Sequence, residues 1–214
     1  MSEIRTAEEL HFYIAADRMI NRGKFEWSYI DRLKHILYPD YVMRFLVAMR
    51  KTSYYNYMSK TRKWGGYFKL LFLWWYLIYR KLGVKLGFSI GYDSTGYALS
   101  LDHYGTIVLG GSSRIGNFAV LHTSTCIIDN EICIGDGLYL STGAKLTRQK
   151  MKLGHNISVA ANSVVTSSFL EDNVIIGGMP AVVIKKTLPW YIRDGKEYLR
   201  RFSEIENKHN LMRM

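Results

Sequence analysis

From about Ile107 to Val165 the chain advances in steps of six, each opening on an aliphatic residue that is usually followed by a small one. The frames read Leu109-Gly110, Ile115-Gly116, Leu121-His122, Ile127-Ile128, Ile134-Gly135, Leu140-Ser141 and Leu146-Thr147, then, after one extra residue, Leu153-Gly154, Val159-Ala160 and Val165-Thr166. A helix repeats its apolar face every 3.6 residues or so and a half-buried strand about every two, so neither gives this period. It is the repeat of a parallel β-helix, in which three short strands make one coil. The aliphatic side chain points into a narrow core, and the small residue lets the chain turn the corner.

Outside the repeat the pattern turns helical. Thr6-Ala7-Glu8-Glu9 has the spacing of a capping box, and Leu10, Tyr13 and Ile20 follow at helical intervals, which predicts a helix over about 7–21 closed by Asn21-Arg22-Gly23. A second helical run starts near Ser28, breaks at Tyr38-Pro39-Asp40 and resumes through Arg50. Three parts result: a helical region over 1–85, the β-helix over 86–186 and a C-terminal helix and tail over 187–214. Gly83 and Gly87 mark the first passage, and Ile175 to Lys186 read as the last coil and an exit strand. The final helix is expected on the base of the prism. No low-complexity linker intervenes, which predicts one rigid unit.

Charge sharpens this division. The 214 residues carry a formal net charge of +11. Residues 1–88 hold sixteen Lys and Arg against seven Asp and Glu, residues 89–186 seven against seven, and the tail six against four. A basic helical part suits a solvated surface, an anionic substrate or a membrane surface; no reading motif accompanies it, so nucleic acid is not an expected partner. Leu70 to Tyr79 is an uncharged, aromatic run bounded by basic residues, too short to span a bilayer as a helix. Two readings stand for it: a helix buried against the β-helix or a neighbouring subunit, or one lying on anionic lipid. The two cysteines, Cys126 and Cys133, have no metal or disulfide spacing and read as reduced core or wall residues. The N-terminus lacks the pattern of a secretory signal, so a cytoplasmic location is expected, including the inner face of a membrane.

Leu101-Asp102-His103-Tyr104-Gly105-Thr106-Ile107-Val108, just before the hexapeptide coils, and the terminal Gly178-Met179-Pro180-Ala181 resemble the serine acetyltransferases and their hexapeptide-repeat acyltransferase relatives. The resemblance covers residues 86–186; the helical half is similar to that of serine acetyltransferase-like proteins encoded with bacterial surface-polysaccharide genes. It implies a left-handed parallel β-helix, a homotrimer with sites in the grooves between protomers, and transfer of acetyl from acetyl-CoA to a hydroxyl, with no metal. His103 would be the general base, because an alcohol is a weak nucleophile until its proton is removed and imidazole titrates near neutrality.

Around His103 the pattern departs from the family. The carboxylate that helps orient the catalytic histidine falls fifteen residues upstream, where this chain has Phe88. Asp102, Asp93 or a backbone carbonyl are left to fill that role. His122, nineteen residues on, is about one coil away and reads either as an acceptor or thioester contact or as a hydrogen-bonded corner residue. Asp129 and Asn130 belong to the following coil as candidate acceptor contacts. The Arg-His loop with which the family meets serine is absent, since Ile127 to Ile132 runs straight through. A sugar hydroxyl on a surface-glycan precursor is therefore the expected acceptor. For CoA, the family's motif positions are Thr142, Ala161, Thr166 and Ser167. The phosphate contact after the terminal Pro-Ala moves to Lys185 or Lys186, because Val182 stands where relatives have a basic residue. Two competitors stand beside this reading: serine O-acetylation for cysteine synthesis, and a non-catalytic β-helix scaffold at the membrane.

Overall fold

A computed structural model describes residues 3–63, 65–129 and 131–213. Four helices come first: α1 (Ala7–Arg22), α2 (Tyr29–Leu37), α3 (Tyr41–Thr61) and α4 (Gly65–Leu86). The capping box at α1 is in place, with Glu9 N–H donating to Thr6 Oγ1 at 3.1 Å and Thr6 N–H to Glu9 Oε2 at 3.2 Å. Asp40 caps α3 by accepting from Met43 N–H at 3.0 Å.

Thirteen short strands follow: β1 (Phe88–Ile90), β2 (Ile107–Leu109), β3 (Arg114–Ile115), β4 (Val120–Leu121), β5 (Thr125–Ile127), β6 (Cys133–Ile134), β7 (Tyr139–Leu140), β8 (Lys145–Leu146), β9 (Lys152–Leu153), β10 (Ser158–Val159), β11 (Val164–Val165), β12 (Val174–Gly178) and β13 (Ala181–Lys186). They form three walls of a prism of about five turns. The first wall has the order β1-β2-β5-β8-β11, the second β4-β7-β10-β12-β13 and the third β3-β6-β9. All pairings are parallel except that of β13, which folds back antiparallel on β12.

Every aliphatic residue that opens a frame, from Leu109 to Val165, is buried in the prism. Most coils contain nineteen residues, as in the pairing of Val120 with Tyr139 and of Tyr139 with Ser158, rather than the eighteen of three even steps. The extra residue falls between the first and third walls, where Glu131 and Lys150 take φ of 53°. A left-handed residue is how one additional position is absorbed without changing the wall register. Cys126 and Cys133 are free thiols on the walls.

A short α5 (Trp190–Arg193) and a longer α6 (Lys196–Met212) close the molecule. They lie along the side of the prism rather than on its base. The cause is the aromatic outer surface there: Phe118, Val120 and Tyr97 pack with Trp190, Ile205 and the Phe12–Ile20 face of α1. Trp190 Nε1 anchors the group by donating to the Phe118 carbonyl at 2.8 Å.

Among the described residues no helix is long and apolar enough to cross a membrane. In α4 only Tyr79, Gly83 and Leu86 are buried, so most of the Leu70–Tyr79 run is not covered by the prism.

Candidate active site

His103 lies in the segment that carries the chain round the corner from the second wall to the first. Ser100 bridges to Val120, twenty residues on, whereas Ile107 pairs with Thr125, eighteen on. The lower corner therefore holds two residues more than the one above it, and the surplus leaves Asp102, His103 and Tyr104 exposed. The bulge is nonetheless held at both ends. Leu101 N–H donates to Asn21 Oδ1 at 3.0 Å, while Gly105 and Ile107 N–H donate to the carbonyls of Leu86 (2.9 Å) and Gly87 (3.1 Å) at the end of α4. Gly87 has φ of 79°, and a Cβ there would stand 2.9 Å from the Gly105 oxygen, so only glycine allows this approach.

His122 occupies the same corner one coil above. Its Nε2 is 3.0 Å from the Tyr139 hydroxyl, with the rings 5.1 Å apart. The Arg193 guanidinium lies over the Tyr139 ring at 5.0 Å and donates to Ser158 Oγ at 3.0 Å. Burial first, and then the Asp194 carboxylate, push the Tyr139 phenol above its usual range, with Asp102 adding to the effect and Arg193 opposing it. The phenol keeps its proton near neutrality and serves His122 as a neutral hydrogen-bond partner. Tyr139 and Arg193 were not among the residues singled out from the sequence. Tyr139 is the outward residue preceding Leu140, a position that the repeat assigns to the wall, and Arg193 comes from α5.

Thr142 and Ala161 stand exposed at this same corner on successive higher coils, below the turn through Gly178, Met179 and Pro180. A column of His103, His122, Thr142 and Ala161 thus runs up one edge of the prism. Asp102 shares the corner, but its Oδ1 accepts from Ser100 Oγ at 3.1 Å. Among the described residues no hydrogen bond reaches the His103 ring.

Within one chain the other predicted residues lie elsewhere. Asp93 and Asp129 occupy the corner beyond the first wall. Burial pushes the Asp93 carboxyl up, with Ser53 opposing; hydrogen bonds from Ser112 hold that of Asp129 down, the Ser112 amide at 2.6 Å. Thr166 and Ser167 follow β11 at that second corner, and Asn130 lies outside the described residues. Lys185 and Lys186 are carried away from the histidine corner by the whole length of β13, because that strand reverses; Lys186 Nζ meets Glu171 at 3.5 Å.

A cleft of about 410 Å³ adjoins the histidine loop, with Pro39, Val42 and Leu86 as its apolar part. Arg22, Asp40, Tyr41 and Lys85 line it with Asp102 and Tyr104. Arg22 pairs with Asp40 at 2.6 Å, and the Lys85 ammonium draws the Tyr41 phenol below its usual range. The corner therefore presents an exposed imidazole beside a cleft rich in hydrogen-bonding groups.

No family model matches the sequence, and no curated protein matches it. Among solved structures the chain is similar to the serine acetyltransferase of Neisseria gonorrhoeae, with a TM-score of 0.56 at 19% identity over 84% of this chain and 66% of that one. That of Brucella abortus strain S19 gives 0.56 at 19%, over 84% and 69%. A serine acetyltransferase in complex with cysteine gives 0.54 at 17%, over 83% and 69%. The chain spans about two thirds of the length of these proteins, and at such identities the likeness is one of architecture. The chain has the left-handed β-helix fold of these serine acetyltransferases.

Proposed function

We propose that the protein is an acetyl-CoA-dependent O-acetyltransferase of the hexapeptide-repeat class and that its acceptor is a sugar hydroxyl of a surface-polysaccharide precursor. The observation that carries the reading is the His103 loop, bulged out at a corner yet clamped by Asn21, Leu86 and Gly87. In this reading the His103 imidazole takes the acceptor's proton as its oxygen attacks the thioester carbonyl. The C–S bond then breaks, and the imidazolium returns that proton to the departing thiolate. His122, oriented by Tyr139, binds the acceptor or the thioester carbonyl from one coil above.

Acetyl-CoA supplies the activated acyl group. The exposed, small side chains of Thr142 and Ala161 suit a thin pantetheine arm lying along the corner. Lys185 and Lys186 do not fit the phosphate role within one chain, because β13 takes them to the opposite edge of the second wall. A homotrimer would complete the groove, and in it Asp93, Asp129, Thr166 and Ser167 could face the site only from a neighbouring protomer.

Two features support this acceptor class. Ile127, Ile132 and Ile134 are buried on either side of the point where a serine-binding loop would emerge, so the chain re-enters the prism core within a few residues. The 410 Å³ cleft beside His103, with its Arg22 and Lys85 cations, has room and polarity for a phosphorylated or nucleotide-linked sugar. The test is free-thiol release from acetyl-CoA with serine and with nucleotide- or lipid-linked sugars, comparing wild type with His103→Ala. Release with a sugar, falling about 10²- to 10⁴-fold in the variant, supports the reading. Release with serine alone restores amino-acid O-acetylation, and failure to bind CoA favours a scaffold.

A further inference from the structure

α2 buries none of its nine residues, although five of them are apolar. Ile36 is 71% exposed and Leu37 78%, and Tyr29, Ile30 and Leu33 are also open. α4 carries a second stripe, Leu70, Leu73, Trp74 and Leu77, at helical spacing; Trp74 and Leu77 are 64% and 66% exposed. An apolar surface on this scale marks something that covers it.

The two stripes flank a single cavity of about 570 Å³ between α2, α3 and α4. Its walls are apolar, with Ile36, Met43, Val47, Trp75, Ile78 and Leu82. Its rim is basic, with Arg32, Arg44 and Lys81. Arg18, His35 and one acid, Asp40, also line it. A cavity with apolar walls and mostly cationic polar groups matches an anionic amphiphile better than a protein side chain.

Charge selects among occupants. Between Asp40 and Asp93 the sequence holds ten Lys and Arg and no acidic residue, and nine of the ten lie outside the buried Arg50–Asp17 pair. A second copy of the chain would bring the same positive face and be repelled, whereas an anionic lipid surface is complementary. Trp74, Tyr29, Tyr38 and Tyr67 are all exposed on this part of the chain, and such rings favour the headgroup level of a bilayer.

We propose that the α2–α4 face docks on an anionic phospholipid bilayer, with both helices lying in the plane of the headgroup–acyl boundary and the cavity receiving a lipid. The carbonyls of Leu86 and Gly87 at the end of α4 hold the His103 loop, so docking would bring that loop close to the lipid surface. Use of a lipid-linked acceptor rests on the O-acetyltransferase reading; the docking itself does not.

The test is co-sedimentation of the full chain with vesicles of phosphatidylcholine alone or mixed with phosphatidylglycerol, together with the assembly's mass by light scattering. Wild type is expected to pellet with the anionic vesicles and to stay in solution with the neutral ones. Leu37→Glu with Leu77→Glu should lower the partition coefficient about tenfold or more at unchanged mass. Should that variant fail to fold, charge reversal at the exposed Lys34, Lys69 and Lys81 carries the same expectation. Absence of wild-type binding, equal binding by the folded variant, or a smaller assembly in the variant would each overturn the proposal, the last by showing that a second copy covers the face.

Discussion

Arg50 and Asp17 form a two-pronged ion pair almost wholly shielded from solvent, with Arg50 Nε 2.7 Å from Asp17 Oδ2 and Nη2 3.1 Å from Oδ1. The remaining hydrogen-bonding capacity goes to the first coil. Arg50 donates to the carbonyls of Thr95 (2.9 Å) and Gly96 (2.6 Å), and Asp17 accepts from Leu99 N–H at 3.0 Å. The pair thus joins α1 and α3 to the open end of the β-helix, where the first coil has no coil beneath it to bond with.

Arg50→Met should therefore be costly, because it strands the Asp17 carboxylate in a buried site. Breaking one half of such a pair costs about 3–5 kcal/mol. Urea unfolding monitored by circular dichroism measures it. A loss below about 1 kcal/mol, the range of exposed pairs, would mean that the site is wetter than its burial implies.

Asn21 acts one turn along α1 from Asp17. Its amide donates to Leu99 O at 2.8 Å and accepts from Leu101 N–H at 3.0 Å, immediately before Asp102 and His103. Asn21→Leu leaves both backbone groups unpaired, at about 1–3 kcal/mol each. The expectation is a kcat reduced about tenfold or more with CoA affinity kept, since the column at Thr142 and Ala161 is untouched. Equal losses in kcat and CoA binding would point to general unfolding instead of displacement of the loop.

The coils were legible because one inward aliphatic residue recurs per step, and the slip between Leu146 and Leu153 shows in the sequence as an extra residue; an equal slip falls between Ile127 and Ile134. Its left-handed conformation at Glu131 does not show, since nothing in a glutamate announces positive φ. The same limit hid the site's supports. Asp17 and Arg50 are single polar residues within helical runs, and Asn21 reads as part of a helix end, until the first coil is set beside them. Arg193 reaches Tyr139 only because the C-terminal helices return along the second wall. Lys185 and Lys186 were matched to a phosphate by their distance along the chain, which the reversal of β13 turns into distance from the corner.

Tyr139→Phe keeps the ring beneath Arg193 and removes only the hydroxyl that meets His122 Nε2 at 3.0 Å. One hydrogen bond is worth about 1 kcal/mol net, so stability should change little. If His122 positions substrate, kcat/KM for the acceptor should fall about tenfold, mostly through KM. His122→Ala should give at least the same loss, and a fully active His122→Ala would reduce this corner residue to a structural role.

Asp31 governs the helix that carries the exposed apolar face. Its carboxylate is drawn from its ordinary 3.8 to about 2, first by the hydrogen bond from Lys24 and then by those from the Ser28 hydroxyl and amide. Lys24 Nζ is 2.7 Å away and Ser28 N–H 3.0 Å. The folded value lies below the unfolded one, so the support is complete above about 4 and is lost as pH falls toward 2. Because α2 buries no residue, this cap is a large share of what holds it. Carbon-13 α chemical shifts of residues 29–37 should therefore move toward coil values between about pH 4 and pH 2 while those of the coils stay fixed. In Asp31→Asn that acid step should disappear and α2 should already be frayed at neutral pH. A wild-type α2 still fully helical at pH 2 would mean that the Lys24–Asp31–Ser28 cluster does not hold it.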